Sequence, residues 1–269
     1  MDARSTRKLR GWRRVANAMW GPPNDPQIYG ALDVDATRLK AFLEALRARG
    51  HKVTPTHLVG RAVAVTLREV PEMNVRIVGE DIIPRGSIDV FFQTAVEGGR
   101  DLTGVKVRDV DRKSVIEVAR ELGERSRAAK EGRDAEFAKS KSTMDALPLP
   151  LLRLALRGAA WLTGDRDTSI RALGLASSPF GSAAVTSIGM FGLPIGFAPL
   201  SWMYKIPLLV LVGTIEDRPV AVEGRVEVRP VLPVTATIDH RFVDGWHIAR
   251  AMKTFRAYLD SPENYETQI

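Results

Sequence analysis

The chain has 269 residues, 45% of them hydrophobic and 26% charged, a globular composition that excludes a disordered or fibrous protein and suits one large domain or two small ones. It has no cysteine, which rules out disulfides, thiolate metal sites and a cysteine nucleophile; with no apolar run of the ~20 residues that cross a bilayer, a reducing, cytoplasmic setting is expected. The formal charge is +7 and the isoelectric point about 9.8, favouring acidic partners without choosing among nucleic acid, anionic lipid and a phosphorylated cofactor.

Arg4, Arg7, Lys8, Arg10, Arg13 and Arg14 are opposed only by Asp2. This reads as a solvated basic arm over about 1–14, with no apolar stretch behind it to make a secretory signal. No aromatic-rich RNA-binding pattern, zinc-finger spacing or basic heptad helix accompanies it, so nucleic acid is not an expected partner. Gly21-Pro22-Pro23 and Pro26 break the chain before a strand over Ile28–Val34. Asp35 then suits the N-cap of a helix to about Arg49, with Leu39, Phe42, Leu43 and Leu46 as its apolar stripe and Gly50 at its C-terminal turn. Thr56 to about Glu69 carries Leu58, Val59, Ala62, Val63 and Leu67 on helical spacing, and Pro71 ends it. Val75–Val78 and Asp81–Pro84 flank a glycine turn, and Ile88–Val96 has strand composition. Ser114 with Glu117 forms a capping box for a charged helix to about Glu131.

The stretch Thr143–Pro179 stands apart, because Pro148 and Pro150 precede a run of leucines and alanines with Arg153 and Arg157 one helical turn apart. Gly158 argues against one unbroken helix. Its apolar face is expected to bury against the domain or a partner subunit, the commoner fate of such a helix, with membrane-surface contact by this insertion as the alternative. Strands follow over Ala183–Ser187, Leu208–Ile215 and Val234–Asp239, with a hairpin about Glu223-Gly224. A closing helix after Gly245 places Ile248, Met252, Phe255 and Leu259 on one face. Helices early and strands late make an α+β layout, a mixed or antiparallel sheet with packed helices, in a single domain over 1–269.

Of the four histidines, His51, His57 and His247 lie beside no evident acid or hydroxyl cluster and read as structural or surface residues. His240 differs. It follows the strand Pro233–Asp239 and enters the turn His240-Arg241-Phe242-Val243-Asp244-Gly245 just before a helix, a place where side chains reach into a crevice at a sheet end. Asp244 can fix that loop through a buried ion pair, and Gly245 permits a backbone that other residues resist. His-x-x-x-Asp-Gly alone does not make a general base.

Asp239-His240-Arg241-Phe242-Val243-Asp244-Gly245 resembles the DHRxxDG signature of the dihydrolipoamide acyltransferases, the core subunits of 2-oxoacid dehydrogenase complexes, which have the chloramphenicol acetyltransferase-like fold. Thr186–Gly192 resembles that family's (S/T)NxGxFG segment, and Leu209–Pro219 its apolar strand ending in GxxxxRP. Thr56-His57-Leu58, Glu69–Asn74 and Val105–Asp109 match in order as well. The resemblance covers roughly Lys8–Lys141 and Gly181–Pro262, and ordered motifs at family-like spacing are far more specific than any one of them. It implies a two-layer α+β sandwich and a coenzyme A-dependent acyltransferase, in which the histidine, here His240, takes a proton from the thiol of coenzyme A or of dihydrolipoamide. A thiol of pKa about 8.5 is mostly un-ionised at neutral pH and gains from such a base. The family's oxyanion donor is a hydroxyl that gapless alignment on Gly189 places at Thr186, with Ser187 as the fallback. The resemblance gives Asp244 a supporting role, with Gly245, through an arginine near the domain's start, here Arg13 or Arg14. It implies a homotrimer with active sites between subunits, and partners among lipoyl-domain proteins or other 2-oxoacid dehydrogenase components. No metal is implied.

Three departures bear on function. The chain starts at the catalytic domain, so no lipoate is expected on it and the lipoyl group is expected in trans. The segment 143–179 replaces a short connection and can reshape the acyl channel. Trp202, Tyr204 and Lys205 stand where the family has an Asn-Pro-type segment, and the tail Pro262–Ile269 is more polar than the family's anchor, so assembly is expected to stop at the trimer. Three functions remain open: transfer to lipoyl groups, transfer to another acceptor, and a non-catalytic trimeric assembly subunit. The presence of His240, Asp244, Gly245 and a hydroxyl at Thr186 argues against the last.

Overall fold

The computed structural model describes residues 26–96, 101–130, 148–169 and 176–266. The basic arm, with Arg13 and Arg14, lies outside the described residues. In chain order the elements are β1 (Gln27–Asp35), α1 (Thr37–Ala48), α2 (Pro55–Glu69), β2 (Val75–Val78), β3 (Asp81–Pro84), β4 (Val90–Val96), β5 (Asp101–Val107), α3 (Val115–Lys130), α4 (Leu149–Ala160) continuing into a π-helical turn (Trp161–Asp165), β6 (Ala183–Ser187), β7 (Leu208–Val212), β8 (Glu216–Val222), β9 (Arg225–Asp239) and α5 (Gly245–Asp260). The main sheet has the order β1-β9-β7-β6-β4-β5, with β8 added on β9, and β2-β3 form a separate hairpin. β6 is parallel to both β4 and β7, and the remaining pairs are antiparallel. This is the mixed-sheet α+β layout that the sequence leads one to expect.

Local chemistry explains the helix limits. Gly50 takes φ +85°, and the His51 and Gly50 amides donate to the Leu46 and Arg47 carbonyls at 3.0 and 2.9 Å, closing α1 with a Schellman turn. At its start, Ala36 rather than Asp35 holds the cap position; Asp35 still accepts the Thr37 amide, at 2.9 Å, because an aspartate can bond a backbone N–H two residues on. Ser114 and Glu117 form the expected reciprocal cap of α3.

One face of the sheet is covered by α1, α2, α3 and α5. Leu39, Leu58, Val59 and Leu67 are fully buried there against Val90, Phe92, Val185 and Leu232. A Cβ on Gly60 would stand 2.3 Å from the Phe92 ring, so this close helix-to-sheet approach needs glycine. Among the described residues the opposite face carries a smaller cluster of Ala184, Ile206, Leu209 and Leu211, with Phe91, Phe180 and Tyr204 packed against it. Beside it the loop after β6 leaves Met190, Leu193, Ile195, Phe197 and Trp202 about half exposed or more.

Three elements differ from expectation. β5 carries no strong strand pattern and forms because β4 pairs along it, Val90 with Val107 through to Val96 with Asp101. β9 is 15 residues long because its first half pairs with β8 and its second with β1 and β7. Finally, α4 runs through Gly158 without a break, and its apolar residues Leu151 and Leu154 stand in the open instead of packing on the domain.

Candidate active site

β9 ends at Asp239, and the chain turns sharply. The Asp239 amide donates to the Pro207 carbonyl and the His240 amide to the Pro26 carbonyl, both at 2.9 Å. Asp239 is buried and accepts the Arg241 amide and Nε, each at 3.0 Å. That bond holds the Arg241 guanidinium above its usual pKa. Val243 is buried and pins the far side of the turn. His240 itself is exposed at the end of the sheet. The Asp-His-Arg order therefore has a local cause: the acid and the arginine brace each other, and the imidazole between them projects outward.

Among the described residues Asp244 makes no buried ion pair. Its side chain is 61% exposed and caps α5, with Oδ1 accepting the Trp246 and His247 amides at 3.0 and 3.2 Å. His247 Nδ1 lies 2.8 Å from the same oxygen, and this contact holds the Asp244 carboxyl below the usual range. An aspartate at an extended residue just before a helix satisfies the free amides of the first turn, which suffices to place it here. Gly245 begins α5 and its Cβ position is open space. Arg13 and Arg14, the expected partners of Asp244, lie outside the described residues.

The two candidate hydroxyls lie at the end of β6. Ala183 and Val185 point to the helix-covered face and Ala184 to the other, so strand alternation sends Thr186 and Ser187 to opposite faces. Thr186 shares the open face with Leu209 and Leu211, whereas Ser187 Oγ reaches the Val212 carbonyl at 3.4 Å. The glycines beyond them have a steric reason. A Cβ on Gly189 would meet the Gly213 carbonyl oxygen at 2.6 Å, and one on Gly213 would meet the Pro194 oxygen at 2.0 Å. Two motifs far apart in sequence are thus one joint.

Within a protomer His240 and Thr186 stand far apart. Ile238 lies opposite Leu208, and Thr186 opposite Leu211. His240 is therefore two positions beyond Leu208 on one side and Thr186 three on the other, about 16 Å along the strands at ~3.3 Å per residue. A site that uses both needs a second copy of the chain.

A cavity of about 930 Å³ opens at the β6 end on the helix-covered face, with Ser187, Gly189, Gln93 and His57 in its wall. Lys52, Arg120 and Arg127 also line it, are exposed, and outnumber the one exposed acid there, Glu124. Sequence reasoning passed over His57. Thr54 starts α2 with a capping box in which the Thr54 amide donates to His57 Nδ1 at 3.0 Å. Burial pushes the imidazole down to about 4, so it is neutral near pH 7 and carries its proton on Nε2. The signal available in the sequence was Thr54-x-x-His57, a capping spacing; that the same ring faces a cavity depends on β6 arriving from far along the chain.

The sequence model of the 2-oxoacid dehydrogenases acyltransferase catalytic domain matches residues 2–144 and 168–266. Among curated relatives, the dihydrolipoyllysine-residue acetyltransferase component of the acetoin cleaving system of Bacillus subtilis is 25% identical over 244 residues, covering 89% of this chain and 50% of that one. The dihydrolipoyllysine-residue succinyltransferase component of the Escherichia coli K12 2-oxoglutarate dehydrogenase complex is 27% identical, over 75% of this chain and 39% of its own length. The chain spans about half the length, or less, of the curated relatives it matches. In solved structures the same fold occurs in a probable dihydrolipoamide acetyltransferase of Listeria monocytogenes, with a TM-score of 0.66 at 21% identity over 97% of both chains.

Proposed function

We propose, for a chain that belongs to the family of 2-oxoacid dehydrogenase acyltransferase catalytic domains, that it moves an acyl group between coenzyme A and the thiol of dihydrolipoamide presented by a lipoyl-bearing chain. His240 is the general base, accepting the thiol proton as sulfur attacks the partner thioester and returning it to the sulfur that leaves when the tetrahedral intermediate collapses and the old C–S bond breaks. Thr186 of an adjoining protomer donates its hydroxyl to the oxygen that becomes negative in the tetrahedral intermediate, with Ser187 as the alternative donor. Asp244 and Gly245 set the start of α5 and so hold the turn that carries His240; they do not touch the reacting atoms.

The observation that carries this reading is the placement of the imidazole and the hydroxyl at opposite ends of the sheet, about 16 Å apart along the strands by ~3.3 Å per residue. His240 is exposed and Thr186 half-buried, each at its own end, as suits a shared inter-protomer site. The half-exposed Met190, Ile195, Phe197 and Trp202 form the kind of apolar surface that a second copy covers, which supports a homotrimer. The cavity on the helix-covered face supports coenzyme A as substrate: Lys52, Arg120 and Arg127 suit its phosphates and neutral His57 offers an Nε2–H to a carbonyl, and because Ser187 and not Thr186 lines it, coenzyme A seated there favours the alternative donor.

The test is turnover of acetyl-CoA with dihydrolipoamide, run beside His240→Ala. Loss of about 10²–10⁴ in kcat is expected for removal of a general base. Full activity in the variant, or acyl-CoA binding without turnover in the wild type, overturns the assignment. A second reading keeps base and hydroxyl and changes the acceptor. It rests on the Trp202–Lys205 segment, which is tied to the inserted turn through Lys205 and Asp165 at 3.1 Å and stacked through Tyr204 on Phe180 at 4.2 Å. Turnover with other thiols or alcohols but not with dihydrolipoamide selects it.

A further inference from the structure

The family match passes over residues 145–167, and the transfer reaction makes no use of α4 and its π-helical turn, which fall there. From Leu149 to Gly164 the sequence has no Asp or Glu and includes Arg153 and Arg157. Leu151, Leu154 and Trp161 are 53%, 67% and 51% exposed, and Ala155 and Gly158 between them are exposed too. At ~100° per residue these positions span about 120° of the helix, one continuous apolar stripe, with Arg157 on its border. The stripe is aimed outward by its root. Arg76 donates to the Gly164 carbonyl at 3.2 Å, Lys205 pairs with Asp165 at 3.1 Å, and the Ser178 amide donates to the Thr163 carbonyl at 2.8 Å. Arg166 lies over the Trp161 ring, 5.0 Å from its centroid. The helix is thus fixed at one end and shows water the face that a soluble protein hides.

We propose that α4 seats this stripe on an anionic lipid surface, with Leu151, Leu154 and Trp161 at the acyl boundary and Arg157 and Arg166 among the phosphates. Charge selects this occupant. Among the described residues the exposed charge on α4 is that of Arg157, which is positive, and a tryptophan with an arginine over its ring suits the headgroup level of a bilayer. A second copy docking through the same face would set arginine against arginine. Among the described residues no helix is long and apolar enough to cross a membrane, so the contact is peripheral. The proposal stands independently of the transfer reaction.

The full chain is floated with phosphatidylcholine vesicles with and without phosphatidylglycerol, beside the triple variant Leu151→Glu, Leu154→Glu, Trp161→Ser. All three positions are exposed, and circular dichroism and acetyl-CoA binding check that the variant stays folded. Wild type is expected to float with the anionic vesicles only, and less so at high salt; the variant should lose about tenfold or more of the bound fraction. Trp161→Phe should lose the blue shift in tryptophan emission that vesicles cause in wild type. Absence of flotation overturns the proposal. Equal flotation of wild type and triple variant also does so, because the basic arm then carries the binding. A fall in oligomer size in the variant, with no lipid binding by wild type, assigns the stripe to a second copy instead.

Discussion

If each active site takes His240 from one protomer and Thr186 from the next, two dead variants should revive each other. His240→Ala alone is expected to lose a factor of about 10²–10⁴ and Thr186→Ala about 10²–10³. In a mixed trimer, two chains of one variant and one of the other, a site works when the first protomer keeps its histidine and the second its hydroxyl. One of the three sites meets both conditions, so about one third of the wild-type activity returns, roughly 30-fold or more above either variant alone. The two chains are co-expressed with different tags, the mixed trimers isolated by sequential affinity steps, and their composition confirmed by native mass measurement before assay. Sites built within one protomer give no rescue, since every chain then lacks one group. Mixed trimers of proven composition that stay at the single-variant level would refute the shared site. A mass corresponding to a 24-mer or 60-mer would refute the expectation that assembly stops at three.

Glu266 accepts the Tyr258 hydroxyl at 2.7 Å and the Val115 amide at 2.8 Å, and pairs with Arg61 at 3.0 Å, with side chains only 1% and 8% exposed. Glu266→Gln leaves the buried guanidinium without its anion, which costs about 3–5 kcal/mol and about 6–20 °C in Tm by thermal circular dichroism; the double replacement Arg61→Met, Glu266→Leu should cost less. His57 is held down to about 4 from 6.5, so the unfolded chain binds more protons between those values. Stability should therefore decline as pH falls from about 6.5 to about 4, and His57→Gln should flatten that part of a urea-midpoint profile. Asp244 acts in the same direction at lower pH, its carboxyl held below its usual value by its bonds to His247: its cap persists above that range and is lost as pH falls through the lowered value, with exchange of the Trp246 and His247 amides accelerating there. Gly189→Ala meets the Gly213 carbonyl oxygen at 2.6 Å and should lower both Tm and turnover, whereas Gly245→Ala, whose Cβ has open space, should leave Tm nearly unchanged.

Much of the fold is legible in local patterns. The Schellman turn at Gly50, the capping box at Ser114 and Glu117, the hairpin at Glu223-Gly224 and the apolar stripes of α1, α2 and α5 all rest on contacts within a few residues, and each stands where the spacing places it. β5 was not legible, because its pairing partner and not its own residues makes it a strand. Arg61 is a further case. In the sequence it is one charge on an apolar helix, and only the arrival of Glu266 from the far end of the chain permits its burial.

The site divides in the same way. The sequence alone determined that His240 leaves a strand into a braced turn, that Asp244 precedes a helix, and that a hydroxyl pair stands before a glycine joint, since these are matters of neighbours in the chain. Strand order and register decided the rest: that Thr186 and Ser187 serve opposite faces of different surroundings, that His57 faces the cavity at the β6 end, and that α4 turns its leucines outward. Pairing free energy comes from contacts between segments well separated in the chain, such as Val90 with Ala183 and Gln27 with Asp239, and no local spacing records which segments those are.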